Sequence, residues 1–294
     1  MTEITNILVL GIWYLSIKCY LMLVICYLAI NINTLNTHAV LMDSELSKKI
    51  DSVVKHFKPD SRIVVLTGAG ISEESGIPTF RGKGGLWEKY NPAEVAIAEA
   101  MMLRPKKVWE MHDTLRQTLA KSKPNPGHFA IAELEKMFKN VTVITQNVDN
   151  YHQDAGSKNV LELHGNAWRV KCTEEDKSWI DKTVPYKELP PKCRCGANLR
   201  PGVVFFNEPL DQDILNAAFK TSRSADIMFV IGTSYVVMPA AYLPVLAKES
   251  GAVLIDINIE YSPIATFPDA SLIGKSGEIL PELIKRLKVH LKKK

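Results

Sequence analysis

The chain has 294 residues, 46% of them hydrophobic and 23% charged, with a formal net charge of +4 at pH 7. That is enough apolar sequence for one large or two ordinary cores, and it excludes collagenous, low-complexity and wholly disordered classes. A charge this mild over this length points to no nucleic-acid or membrane-surface partner, and no nucleic acid is predicted.

The first 41 residues stand apart. Residues 7–30 are almost continuously apolar, broken by Gly11, Ser16 and Lys18, and reach the ~20 residues that a spanning helix needs. A secretory signal wants a basic flank before the apolar run and a small-residue cleavage site after it; here the upstream charge is Glu3, and the run is too long. Two readings stay open. One is a membrane anchor, in which Lys18 near mid-span costs roughly 2.5 to 3.5 kcal/mol. The other is a working chain that starts at Met42, where Asp43 and Ser44 cap an amphipathic helix. A membrane partner is expected only under the first. Of the five cysteines, Cys19 and Cys26 fall in this leader, leaving Cys172, Cys193 and Cys195. An odd number in a long chain is no disulfide framework and points to a reducing compartment, so a cytoplasmic location is expected for the body.

From residue 43 onward, short β-branched runs alternate with helical patterns, which predicts an α/β fold: a doubly wound, Rossmann-like parallel sheet. Strands are expected at 62–67, 141–145, 226–231 and 252–258, each stopping at polar or glycine residues. Helices are expected near 45–57, 106–121, 127–138, 212–222, 239–249 and 279–291. Two stretches break the alternation. Residues 83–123 read as a helical insertion, and residues 170–199, with three cysteines and several prolines, read as a small zinc-ribbon-like module. Residues 42–82, 124–169 and 200–294 would then form the nucleotide-binding domain, with the insertion and module as a smaller one.

Three constellations carry chemistry. At Gly68-Ala69-Gly70, directly after the first strand, glycines let backbone approach a diphosphate whose charge meets the start of a helix; Thr79, Phe80 and Arg81 follow a proline-fixed turn near the same place. Thr145-Gln146-Asn147-Val148-Asp149 lies where the second strand ends, the edge at which open α/β sheets bind ligands. His164, delivered by a strand over 161–166 and followed by Gly165, is sterically open, with an ordinary pKa near 6.5 suited to a general base.

The ordered blocks GAGISEESGIPTFR, TQNVD, LHG, RPGVVFFNE, GTSYVVMPAA and DINIE resemble the sirtuin family of NAD-dependent protein lysine deacylases, in its prokaryotic form, over residues 43–290. The resemblance implies that acyl groups pass from lysine to NAD-derived ADP-ribose, giving nicotinamide, free lysine and O-acyl-ADP-ribose. It implies Gly68, Ala69, Gly70 and Ser72 at the diphosphate, with Phe80, Arg81, Gln146 and Asn147 around the nicotinamide ribose. Asp149 with Val148 would hold the carboxamide, Gly232, Thr233 and Ser234 the far phosphate and ribose, and Asn258 and Glu260 the adenosine ribose. His164 would be the general base, with Asn147 beside it as a second catalytic residue. Val204, Phe206, Asn207, Glu208 and Val237 would bind an acyl-lysine peptide as an added strand. A mono-ADP-ribosyltransferase and a catalytically silent NAD-binding module are the alternatives on the same scaffold.

Departures from the family pattern qualify this. The usual two Cys-x-x-Cys pairs are reduced to Cys172, Cys193 and Cys195, so zinc needs Glu175 or Asp176 as a fourth ligand, or the module is metal-free. Asn150 and Asn207 stand where glycine is usual; asparagine best tolerates left-handed backbone after glycine, so the fold should survive with a narrower peptide groove. The Tyr-x-x-Arg pair of desuccinylating relatives is replaced by His112 and Leu115, and Arg116 lies one residue, about 100°, out of register. Acetyl or longer neutral acyl groups are therefore expected over succinyl, with Ala96 leaving room for the longer ones.

Overall fold

The computed structural model describes residues 44–80, 84–261 and 268–292. The chain divides into Met1–Lys48, of which 44–48 are described and helical, and Lys49–Lys294, which contains everything below. Residues 7–30 lie outside the described residues, among which no helix is long and apolar enough to cross a membrane.

In chain order the described strands are β1 (Arg62–Thr67), β2 (Asn140–Thr145), β3 (Val160–Glu162), β4 (Gly165–Cys172), β5 (Ser178–Ile180), β6 (Leu199–Val203), β7 (Ile227–Ile231), β8 (Val253–Asn258) and β9 (Ala270–Ile273). Six of them form a sheet in the order β3-β2-β1-β7-β8-β9, with every neighbouring pair parallel. The chain runs outward from β1 to β3, crosses back beside β1 as β7, and runs outward again. That reversal is the topological switch point of a Rossmann-like sheet.

The central strands are buried on both faces, which is why RIVVLT and IMFVI read as continuous apolar runs rather than alternations. Val64, Leu66, Met228, Val230 and Leu254 pack with Leu243 and Ala247 on one side. Phe57 stacks on Phe138 and Phe229, with centroids 5.6 and 6.0 Å away. Covering helices begin where capping chemistry starts them. Pro126 opens the helix Pro126–Met137, the Asn125 side chain accepts from the Gly127 N–H, and His128 Nδ1 accepts from the Asn125 N–H. Asp211 caps Gln212–Arg223 by accepting from Asp213 and Ile214.

The six helices expected from periodicity are present. The one expected from 239 opens instead as a short 3-10 turn, Ala240–Tyr242, before the α-helix Leu243–Glu249. The insertion holds helices Leu86–Lys89, Pro92–Val95, Ala98–Leu103 and Pro105–Lys121 and, among its described residues, no full strand. Residues 165–203 contain a regular three-stranded antiparallel sheet, β5-β4-β6, that periodicity did not reveal. The reason is local: β5 reads Ser-Trp-Ile with every residue exposed, and β4 and β6 pair through a bulge. Helical insertion and cysteine segment share one core, in which Val108 and Trp109 pack with Val170, Cys172, Cys193 and Leu199. Trp109 Nε1 donates to the Leu199 carbonyl at 2.7 Å.

Candidate active site

Because the large sheet is parallel, the carboxyl ends of β1, β2, β7 and β8 open on one edge, and the loops leaving them carry Gly68–Gly70, Gln146–Asp149, Gly232–Ser234 and Asn258–Glu260. They border a cleft of about 1270 Å³.

The glycine turn has a packing role besides the one read from the sequence. Gly68 N–H donates to the Ile231 carbonyl and Gly70 N–H to the Gly232 carbonyl, both at 2.9 Å. A Cβ on Gly70 would lie 2.7 Å from Gly232 Cα, and one on Gly232, whose φ is +58°, would lie 2.5 Å from Ile71 N. These glycines let the β1 and β7 loops press backbone to backbone, and the helix that follows is a single turn, Gly70–Glu73. Its dipole is correspondingly small, so close packing rather than a long helix shapes this part of the cradle.

Beside it lies a buried polar network. Asn147 Nδ2 donates to the Gly68 carbonyl at 2.9 Å and to Ser72 Oγ at 3.2 Å, and Ser72 Oγ donates to Asp149 Oδ2 at 2.7 Å. The other Asp149 oxygen accepts from Tyr151 N–H at 2.9 Å. Burial raises the Asp149 pKa, while the Ser72 and Tyr151 hydrogen bonds pull it back. Ser72 and Asp149 line a side pocket of about 20 Å³ that shares Ala69, Phe80, Asn147 and Val148 with the main cleft. Gln146 Nε2 donates to Thr233 Oγ1 at 3.0 Å, and Asn258 Nδ2 to the Thr233 carbonyl at 3.1 Å, tying three strand ends together. Ser234 and Glu260 line the cleft as well. Arg81 lies outside the described residues.

His164 is not on a strand, as expected, but in the two-residue turn between β3 of the large sheet and β4 of the small one. Its Nδ1 lies 3.0 Å from the Gln146 carbonyl oxygen. A carbonyl accepts and never donates, so in the neutral ring Nδ1 carries the proton and Nε2 the lone pair. Burial lowers the His164 pKa, partly offset by that carbonyl contact. Gly165, at φ +76°, accepts no side chain, since a Cβ would lie 2.3 Å from the Gly202 carbonyl oxygen.

Val204, Phe206, Asn207, Glu208 and Val237 all border the cleft. The backbone of Phe206 is already engaged, donating to Ala96 O at 2.8 Å and accepting from Ala98 N at 3.1 Å, so its half-exposed ring rather than its main chain faces the cleft. Glu208 is held by two bonds from Arg200, at 2.7 and 2.9 Å. Asn150 and Asn207 take left-handed backbone, with φ of 73° and 69°, as expected of residues standing in place of glycine. Sequence reasoning missed Glu74, Lys275 and Ser276 as cleft residues. Glu74 Oε1 accepts from Ser276 Oγ at 3.0 Å and Gly277 N at 2.8 Å; the turn signal Gly-Lys-Ser-Gly was there, but the four-residue β9 before it gave no pattern.

In the small lobe, ligand atoms of Cys172, Glu175, Cys193 and Cys195 all lie within 4.8 Å of one another, and Asp176 is not among them. Cys172 Sγ is 3.5 Å from Cys195 Sγ, and Cys193 Sγ is 3.8 Å from Glu175 Oε2. A tetrahedron with zinc–sulfur bonds of about 2.3 Å has edges of about 3.8 Å, so three thiolates and a carboxylate fit zinc. The backbone N–H groups of Glu175 and Glu174 lower the Cys172 pKa, favouring the thiolate that a metal needs.

Comparison with known proteins agrees with this geometry. A family model described as the Sir2 family matches residues 68–239. An NAD-dependent protein deacylase from Aquifex aeolicus is 53% identical over 216 residues, 73% of this chain and 90% of that protein. A crystal structure of a Sir2 homologue in complex with NAD superposes with a TM-score of 0.76 at 43% identity, covering 82% of this chain and 94% of the other. A Sir2 protein bound to a myristoylated histone peptide gives a TM-score of 0.68 at 35% identity, covering 84% and 100%. With its Rossmann-like sheet, its polar cradle and His164 on one cleft, and these matches across most of its length, the chain belongs to the Sir2 family.

Proposed function

We propose that the protein is an NAD-dependent protein lysine deacylase acting on acylated-lysine proteins or peptides. NAD supplies the ADP-ribosyl group that receives the acyl chain, with release of nicotinamide. The observation that carries this reading is His164: a neutral imidazole with its Nδ1 proton fixed on the Gln146 carbonyl, in the same cleft as Gln146, Asn147 and Thr233.

The residues present fit the dinucleotide. Gly68, Ala69, Gly70 and Ser72 hold its diphosphate, Phe80 with Arg81 and Gln146 the nicotinamide ribose, and Asp149 with Val148 the carboxamide. Gly232, Thr233 and Ser234 take the far half, and Asn258 and Glu260 the adenosine ribose. Asn147 orients the reacting end through bonds that also fix Gly68 and Ser72. His164 would take up a proton from a ribose hydroxyl at Nε2, and burial, by lowering its pKa, favours the neutral ring that leaves that atom free to accept it. Val204, Phe206, Asn207, Glu208 and Val237 seat the peptide. The cysteine–glutamate cluster holds structural zinc, which calls for a reducing, cytoplasmic setting. The large-sheet body and the smaller lobe of 83–123 and 170–199 act as two domains with the cleft served by both.

Succinyl chains are disfavoured. The Arg116 guanidinium, on a side chain 1% exposed, binds the carbonyls of Asp181 and Thr183 and the Tyr186 hydroxyl, while Ala96, Met111, His112 and Leu115 border the cleft. A buried carboxylate there would lack a cation. Adenine-labelled NAD tests the reading against the transferase alternative: label should appear in small-molecule O-acyl-ADP-ribose, and label retained on protein would overturn it.

A further inference from the structure

His112 is the one cleft-lining residue, among those described, whose buried polar atoms have no protein partner. It is 5% exposed, and neither Nδ1 nor Nε2 meets a protein donor or acceptor. Its ring packs edge-on against Phe205, with centroids 5.7 Å apart and planes at 86°, so packing fixes its orientation. Burial, reinforced by the charges of Arg116 and Arg200, holds its pKa at about 3. Near pH 7 it is therefore neutral, with one N–H donor and one lone pair.

Its surroundings say what that pair of functions can meet. Met111, Leu115 and Ala96 beside it in the cleft are apolar. The nearby cations are committed elsewhere, Arg200 to both oxygens of Glu208 and Arg116 to the Asp181 and Thr183 carbonyls and Tyr186. An anionic group would find no free counter-charge. A purely aliphatic chain would cover the imidazole without satisfying it, and sites with a buried polar group discriminate against ligands that leave it unpaired. A hydroxyl both donates and accepts, and so matches a neutral imidazole at either nitrogen.

We propose that His112 selects, among acyl-lysine substrates, neutral acyl chains that carry a hydroxyl group. The inference rests on the deacylase reading and adds a substrate class to it. The test uses the full chain and one peptide bearing butyryl-, 3-hydroxybutyryl- or 4-hydroxybutyryl-lysine. It compares wild type, His112→Phe, which keeps the ring packed on Phe205, and His112→Gln, which keeps a donor and an acceptor. Both kcat/KM with NAD and peptide Kd by fluorescence anisotropy are read.

Wild type should favour at least one hydroxybutyryl peptide over butyryl by about fivefold, the size of one hydrogen bond. The ratio should fall to one or below in His112→Phe and recover in part in His112→Gln. A ratio near one in wild type, or the same ratio in wild type and His112→Phe, overturns the proposal while leaving deacylation standing. If no peptide is deacylated, the deacylase reading fails, and the Kd ratios decide the selectivity by the same criterion. If His112→Phe does not fold, the wild-type ratio and its retention in His112→Gln decide the proposal instead.

Discussion

Gly70 and Gly232 meet backbone to backbone at the ends of β1 and β7, whereas around the small sheet the features that stand out are side chains: His112 with neither ring nitrogen paired, and Cys172, Glu175, Cys193 and Cys195 gathered within ligand distance of one another. The first region is made by topology: parallel strands end together, and glycine is required because a Cβ would strike a neighbouring loop. The second is made by residue identity on a helix, at the end of β4 and in loops. The cradle is therefore intolerant of small changes in shape, while the small lobe is intolerant of changes in chemistry.

The sharpest way to break this comparison is at the junction of the two sheets. His164→Ala should lower kcat by roughly 10²- to 10⁴-fold, the usual share of a general base, with NAD affinity changed less than about threefold, measured by steady-state kinetics and calorimetry. Because burial lowers the His164 pKa, the acid limb of the wild-type kcat/KM profile should fall below 6.5, and an acid limb above 6.5 would contradict the assignment.

Elemental analysis should find about one zinc per chain, and Cys172→Ala should remove it and lower stability in urea unfolding, since the binding free energy of a structural metal is folding free energy. Zinc-free wild-type protein with the same stability would mean the cluster holds itself. Gly232→Ala, which places a Cβ 2.5 Å from Ile71 N at a positive φ, should cost about 2 kcal/mol of stability and weaken NAD binding. No change in either would show that the two loops are not pressed together.

Beneath the cradle, burial lowers the pKa of His128 to about 4 and that of His152 well below 6.5. Below pH 6.5 the unfolded chain takes up protons that the folded one refuses, so stability present at neutral pH is lost as pH falls from 6.5 toward 4. His128 alone should contribute about 2 kcal/mol of that loss by pH 5, read from urea unfolding at pH 7 and 5. The smallest effect is Asn207→Gly, which relieves a left-handed residue and should raise stability by less than about 1 kcal/mol.

Legibility followed the same division. The strands at 62–67, 141–145, 226–231 and 252–258 could be read because burial on both faces makes them uniform apolar runs, and the ligand edge followed from where those runs stop. β9 and β5 could not, because edge strands of four and three residues are too short to show a period, and β4 and β6 escaped because they pair through a bulge. Asn150 and Asn207 could be read as left-handed because few residue types tolerate that backbone. That Gly70 packs on Gly232, and that His164 sits in a turn between sheets with its Nδ1 proton fixed by Gln146, depends on contacts between segments far apart in sequence, which no local pattern encodes.

The most direct measurement is mass spectrometry of an acetyl-lysine peptide incubated with the full chain, with and without NAD. Loss of one acetyl group only when NAD is present, matched one for one by O-acetyl-ADP-ribose and nicotinamide, is the result expected for a deacylase whose base is His164. An unchanged peptide in the presence of bound NAD, or acetyl loss that does not depend on NAD, would contradict it.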